Sequence, residues 1–326
     1  MLRLRRMGRL VLDASRVAMR RSVLSEHYRP RVSSPKTLCT SCQTPVLRQD
    51  DPRLMQLYER YRTRTPFLEL VSHYWHAVPK TIDLNAFRAH GGYVWTNETR
   101  FRYWATTRYI RAFDEMGLLR LLEEDSAYGC ETLVFDSVVV SRDKLDSILE
   151  IYYLIKVLGI KPFDQLSILD IGAGYGRLAH RFTTVFPRST YYTLDAVPVS
   201  TFICERYLDF RKAARAFVVA FDELDTLMGR RYDFALSVHS FPEQTLASIN
   251  YWLGLLEELD IPYLFLVDHD GRWRTMESAD GGRANYFDLL ERYGWRLIDA
   301  RPKFTSLMGH LTGIYPEAVY ALFVRR

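Results

Sequence analysis

Residues 167–177 read Ser-Ile-Leu-Asp-Ile-Gly-Ala-Gly-Tyr-Gly-Arg. An apolar run that ends in an acid and passes into alternating glycines reads as strand, tight turn and helix start. Gly172, Gly174 and Gly176 allow backbone dihedrals closed to other residues and let the chain approach a ligand closely. The helix that follows offers N–H groups with no partner inside the helix, a setting suited to a carboxylate. Asp170, Gly172, Ala173, Gly174, Tyr175 and Gly176 are therefore the candidate binding loop.

The next apolar run, Tyr191-Tyr-Thr-Leu-Asp195, ends in an acid about 20 residues beyond the glycines, where a carboxylate accepts hydrogen bonds from ribose hydroxyls. Asp195, followed by Ala196, is thus a ligand candidate, with a turn or helix cap as the plain alternative. The glycine spacing is G-x-G-x-G behind an acid, not G-x-G-x-x-G, and that acid would repel a pyrophosphate. A cationic methyl donor fits better, so the expected cofactor is S-adenosylmethionine (SAM). Phe221 and Asp222, after the run Ala216–Ala220, are placed to stack on an adenine and meet its amino group; a capping Asp at a helix start reads equally well.

Strands are expected at 167–171, 190–195, 216–220, 232–238, 262–267, 295–300 and 317–324, with helices near 175–185, 199–210, 222–228, 243–259 and 284–293. Alternation of this kind builds a parallel sheet, and the last two strands, with no clear long helix between them, read as an antiparallel pair at its edge. The fold class is α/β: a Rossmann-like, seven-stranded methyltransferase sheet with an N-terminal, mainly helical cap region. Residues 1–52 form a basic arm and Pro-rich linker, 53–158 a helical, aromatic-rich cap with a β-rich stretch at 132–140, and 159–326 the cofactor domain. Ser141 is the expected N-cap of a helix over 142–158. Tyr93, Trp95 and Arg100, near the Gly91-Gly92 turn, are lid candidates.

Ligands of open α/β sheets lie beyond the carboxyl ends of the strands. The fourth strand delivers His239, Ser240 and Glu243, and the fifth delivers Asp268, His269 and Asp270. A hydroxyl acceptor must lose a proton, and a histidine titrates near neutrality, so His239 is the favoured base. His269 is the alternative base, and Glu243 an orienting or hydroxyl-binding group. Asp268, Asp270 and His239 are oxygen and nitrogen donors of the kind that hold Mg²⁺, but no metal site is assigned.

The net charge of +5 is concentrated. Residues 1–36 hold ten Lys/Arg against two acids, leaving a slightly acidic body, which argues against a nucleic-acid partner. Within the arm, Leu4, Met7, Val11, Ala14 and Ala18 recur at helical spacing, so residues 1–24 read as a basic amphipathic helix for peripheral membrane or protein contact, or as a loose leader. Arginines interrupt any signal-peptide core, and no run approaches the roughly 20 apolar residues of a membrane span. A cytoplasmic protein, at most peripheral to the inner membrane face, is expected. Cys39 and Cys42 form one CxxC with no second pair at zinc-ribbon spacing. Oligomeric state is not legible.

The segments Ile168–Leu178, Leu194–Ser200 with Glu205–Leu208, Tyr232–Glu243 with Ile249–Trp252, and Val140–Leu145 with Glu150–Leu154 resemble the sugar O-methyltransferase family found with exopolysaccharide and glycosylated natural-product pathways. The resemblance covers roughly residues 65–326, and Asp268–Arg272 departs from the family pattern. It implies SAM as donor and a saccharide hydroxyl as acceptor, on a polysaccharide, glycolipid or glycosylated metabolite. Competing readings are a SAM-dependent enzyme acting on nucleic acid or protein, and a non-catalytic SAM-binding scaffold.

Overall fold

The computed structural model describes residues 44–63, 75, 81–94, 98–275 and 283–325. The amphipathic segment 1–24, the Cys39/Cys42 pair and Trp95 lie outside the described residues.

Helix α1 (Pro52–Thr63) opens on proline, which suits the first helical turn, and buries Leu54, Leu57 and Tyr61 along one stripe. Helix α2 (Arg100–Arg111) is capped by Thr99, whose side chain accepts from the Arg102 N–H, and the short α3 (Leu118–Leu121) follows. Strands β1 (Leu133–Phe135) and β2 (Val138–Val140) form a hairpin. Its turn residues Asp136 and Ser137 both have positive φ (49° and 63°), the conformation whose twist matches paired strands. Ser141 caps α4 (Arg142–Leu158), accepting from the Lys144 N–H as its position in the sequence predicts.

The cofactor-type region then alternates β3 (Ser167–Ile171), α5 (Arg177–Val185), β4 (Thr190–Leu194), α6 (Pro198–Phe210), β5 (Ala216–Val219), β6 (Phe234–Val238), α7 (Leu246–Glu258), β7 (Tyr263–Asp268), α8 (Phe287–Arg292), β8 (Trp295–Pro302), α9 (Leu307–Thr312) and β9 (Val319–Arg325). The sheet order is β5-β4-β3-β6-β7-β9-β8. The first five strands are parallel, and β9 lies antiparallel between β7 and β8. This is the expected Rossmann-like methyltransferase sheet, with β8 at its edge. Central strand β3 is covered on both faces, and Ile168, Leu169 and Ile171 are fully buried.

The boundaries shift where local chemistry intervenes. The helix expected near 222–228 is a 3₁₀ segment, Phe221–Leu227, broken at Glu223. Asp222 and Glu223 are both drawn to Arg60 of α1. The helix expected from 243 starts at Leu246, because Thr245 caps it by accepting from the Ser248 N–H, while Phe241–Glu243 makes a separate turn around Pro242. A six-residue helix, α9, fills the expected gap between the last two strands.

Helical cap and sheet share one hydrophobic core, and buried charges run through the join. The Glu124 carboxylate accepts from Arg88 Nη2 at 2.8 Å, from Arg181 Nη2 at 2.6 Å and from the Ser141 hydroxyl. Burial alone would raise this carboxyl, but Arg181 and Arg88 hold it far below its ordinary range. Removing one partner of such a cluster leaves guanidinium charge uncompensated in the interior. Glu124→Gln is therefore expected to cost about 3–5 kcal/mol of stability, read from urea denaturation.

Candidate active site

The glycine loop is tied to the end of β4: the Gly172 and Ala173 N–H groups both donate to Leu194 O, at 2.8 and 3.1 Å. Gly172 and Gly174 have φ of 73° and 58°, where a side chain is strained. At Gly172 a Cβ would also lie 1.9 Å from Ser240 Oγ, so the loop and the end of β6 touch through the missing side chain. Over Gly174 lies the ring of Tyr93, whose hydroxyl pairs with Ser200 Oγ at 2.9 Å.

A pocket opens at the carboxyl ends of β3, β4 and β6. Of the residues singled out in the sequence, Tyr93, Gly172, Ala173, Gly174, Tyr175, Asp195, Ala196, His239, Ser240 and Glu243 line it. Asp195 accepts from the Gly174 N–H at 3.1 Å and the Val197 N–H at 2.8 Å, and burial pushes its carboxyl up to about 7 despite those bonds. Tyr175 contributes to the wall while its hydroxyl donates to the buried Asp143 of α4. Arg177, which also lines the pocket, binds Glu150 through both terminal guanidinium nitrogens, at 2.7 and 2.8 Å.

Other candidates take supporting places. Asp170 is buried beneath the loop, accepts from the Tyr191 hydroxyl at 2.9 Å, and is likewise raised by burial to about 7. Gly176 packs against Cys204 and Leu208. Asp222 faces Arg60, and Phe221 packs among Tyr61, Tyr251 and Trp252 with its N–H held by the Tyr61 hydroxyl. Arg100 is exposed on α2, whereas Tyr93 lines the pocket.

On the β6 side His239 and Glu243 line the pocket, whereas His269 and Asp268 lie outside its lining. His239 has φ of 62°, an uncommon backbone for a side-chain-bearing residue, and its N–H donates to Val267 O at 3.0 Å. Burial, reinforced by His269 and Arg142, holds the His239 imidazole well below its usual pKa. Its Nδ1 is buried and has no hydrogen-bond partner among the described residues. The His269 ring lies 5.3 Å from that of His239, and its Nε2 is 3.7 Å from Glu243 Oε1. Glu243 accepts from the Trp75 indole at 3.0 Å, yet burial pushes it up to about 7. Asp268 is occupied by the Asp270 and Gly271 N–H groups and the Tyr286 hydroxyl. Among the described residues, no group of three or more His, Cys, Asp or Glu side chains is arranged to hold a metal ion.

Trp75, Gln244 and Ser248 line the pocket without having been singled out as binding residues. Ser240, Gln244 and Ser248 recur every four residues and are hydrogen-bonded in series, at 2.6 and 2.7 Å, a spacing readable in the sequence. Arg142, the first residue of α4, sits 5.6 Å from the Tyr315 ring, which itself packs 5.4 Å from His239. Nothing in the local sequence announces that contact.

No protein-family model matches the chain, and no curated protein matches it. Among solved structures, a SAM-dependent methyltransferase from Aquifex aeolicus is 17% identical, covering 52% of this chain and 87% of its own, with a TM-score of 0.37. Magnesium protoporphyrin IX methyltransferase from Synechocystis PCC 6803, crystallised with SAM, is 15% identical over 68% of this chain and 97% of its own, with a TM-score of 0.41. The cyclase SpnF is 12% identical over 60% and 86% of the two chains, with a TM-score of 0.39. The fold class rests on strand order and direction, and none of these similarities assigns a reaction or an acceptor.

Gly172→Ala should force the loop away from Ser240, lowering stability by about 1–3 kcal/mol in calorimetry. Adding Ser240→Gly relieves the clash but not the positive-φ strain, so the double variant should recover only part of the loss.

Proposed function

We propose that this protein is a SAM-dependent O-methyltransferase acting on a sugar hydroxyl of a polysaccharide, glycolipid or glycosylated metabolite. The observation that carries the donor half is Asp195: a carboxylate inside a glycine-lined pocket, at the end of the strand next to the loop. The chain fits the donor. The loop leaves no space for a Cβ at Gly172, Asp195 offers oxygens suited to ribose hydroxyls, and the start of α5 supports the amino-acid end. When bound, SAM supplies an electrophilic methyl group.

The remaining tasks are to hold the acceptor and accept one proton. His239 is neutral at pH 7, because burial has lowered its pKa, so it has a lone pair for that proton. With Nδ1 buried, Nε2 is the nitrogen assigned to the acceptor. Glu243, fixed by Trp75 and raised to about 7, orients a hydroxyl or supports His269. The saccharide acceptor is supported by the family resemblance of Tyr232–Glu243 and Ile249–Trp252, and by the faces of Trp75 and Tyr93 in the pocket, which suit sugar C–H surfaces.

Hydrogen bonds from ribose hydroxyls favour the charged form of Asp195, so SAM binding should lower its pKa from about 7 and release protons at neutral pH. Calorimetry near pH 7 should then give a binding enthalpy that follows the buffer's ionisation enthalpy, and Asp195→Asn should abolish that dependence. Labelled methyl transfer into fractionated polysaccharide, glycolipid and small-metabolite pools should fail with Asp195→Ala and drop by about 10²–10⁴-fold with His239→Ala. Unchanged labelling in both variants would rule the site out. If His239 is the base, kcat at saturating SAM stays flat between pH 6 and 8; a rise to a plateau through about 7 would assign the role to Glu243.

A further inference from the structure

The outer face of α2 combines arginines with aromatic rings. Arg100, Trp104 and Arg108 follow one another at four-residue spacing, and Phe101 lies seven residues before Arg108, so the four share one face of the helix. The rings of Phe101 and Trp104 stack at 5.7 Å, and Phe101 is 40% exposed. Beside α2 packs α9, joined to it through the Ile314 N–H to Thr106 Oγ1 (2.9 Å) and through Tyr109 and Thr305 (2.9 Å). Helix α9 exposes Leu307 at 73% and Met308 at 65%.

The formal charge on these two helices has a single sign. Helices α2 and α9 together contain four arginines, one histidine and no carboxylate. Arg102 is paired with Glu98 and Arg111 with Asp136, which leaves Arg100 and Arg108 exposed and without an ion-pair partner among the described residues. Arginines flanking an aromatic pair, beside protruding Leu and Met, meet the requirements of the interfacial layer of a bilayer. There apolar side chains enter the acyl boundary while cations meet lipid phosphates. A chain of contacts links α2 to the pocket: Arg102 pairs with Glu98, which accepts at 2.8 Å from the N–H of Tyr315, whose ring packs on His239.

We propose that the α2–α9 face docks on an anionic membrane surface and brings the pocket to a lipid-borne acceptor. The docking stands on the surface itself; only the lipid-borne acceptor rests on the methyl-transfer reading.

The test uses the full chain, whose basic segment 1–36 contains no tryptophan, with vesicles of phosphatidylcholine alone or mixed with phosphatidylglycerol, carrying brominated acyl chains. Tryptophan emission should be quenched on the mixed vesicles, and Trp104→Phe should remove most of that quenching. Leu307→Asp with Met308→Asp should weaken vesicle binding about tenfold or more, as should Arg108→Glu at low salt, with SAM affinity by calorimetry unchanged. Quenching that survives Trp104→Phe together with vesicle binding that survives both surface changes would overturn the proposal. Absence of binding to mixed vesicles by the unaltered chain would do the same, as would capture of this face by a protein in place of lipid. Vesicle binding without methyl transfer would sink the enzymatic reading and leave the docking intact.

Discussion

The glycine loop keeps its shape because buried charges hold it from behind. Tyr175 reaches Asp143, and Arg177 clasps Glu150, so two residues at the loop's far end are anchored to α4 on charged partners that water does not reach. Asp143 also meets Arg88, which pairs with Glu124, and Glu124 pairs with Arg181 of α5. A network of this depth tolerates little rearrangement, since breaking any member strands a charge in the interior. The pocket is therefore preorganised. The Tyr93 ring over Gly174 is held by its hydroxyl's bond to Ser200 and by its packing against the Tyr175 ring.

Within that frame the pocket is electrostatically divided. Asp195 on one side and Glu243 on the other are carboxylates that burial has brought near neutral pH, while His239 is pushed the opposite way by the same desolvation. One physical cause thus leaves two carboxyls able to exchange a proton at neutral pH, and an imidazole that stays neutral there but is only weakly basic. That combination suits a reaction in which a hydroxyl must lose its proton without a strong base in solution.

Much of this was legible beforehand, and for local reasons. The strand at 167–171 and the turn after it follow from an apolar run meeting glycines, and the N-cap at Ser141 follows from a hydroxyl preceding an apolar helical pattern. Asp195 was readable because the βαβ unit has a nearly constant length. Asp222 shows the limit. Its position after the third strand is compatible with either adenine recognition or a turn, and the carboxylate meets Arg60, 162 residues away, an encounter no local pattern contains. Helix starts slipped by a few residues where a cap or proline outweighed periodicity, as at Thr245 and Pro242.

The sequence by itself determined the alternation of strands and helices, the turn that glycine alone can make, and the acids at the ends of β3 and β4. These depend on backbone dihedrals and on periods of two and 3.6 residues, which neighbours along the chain suffice to set. Only the tertiary structure decided which side chains face one another across the pocket. Trp75 meets Glu243 across 168 residues of sequence, and Ser240 closes on Gly172. Those contacts exist because the order β5-β4-β3-β6-β7-β9-β8 brings the end of β6 beside the loop after β3. The burial that raises Asp195 and lowers His239 comes from the same assembly, since desolvation belongs to a packed environment and not to a residue.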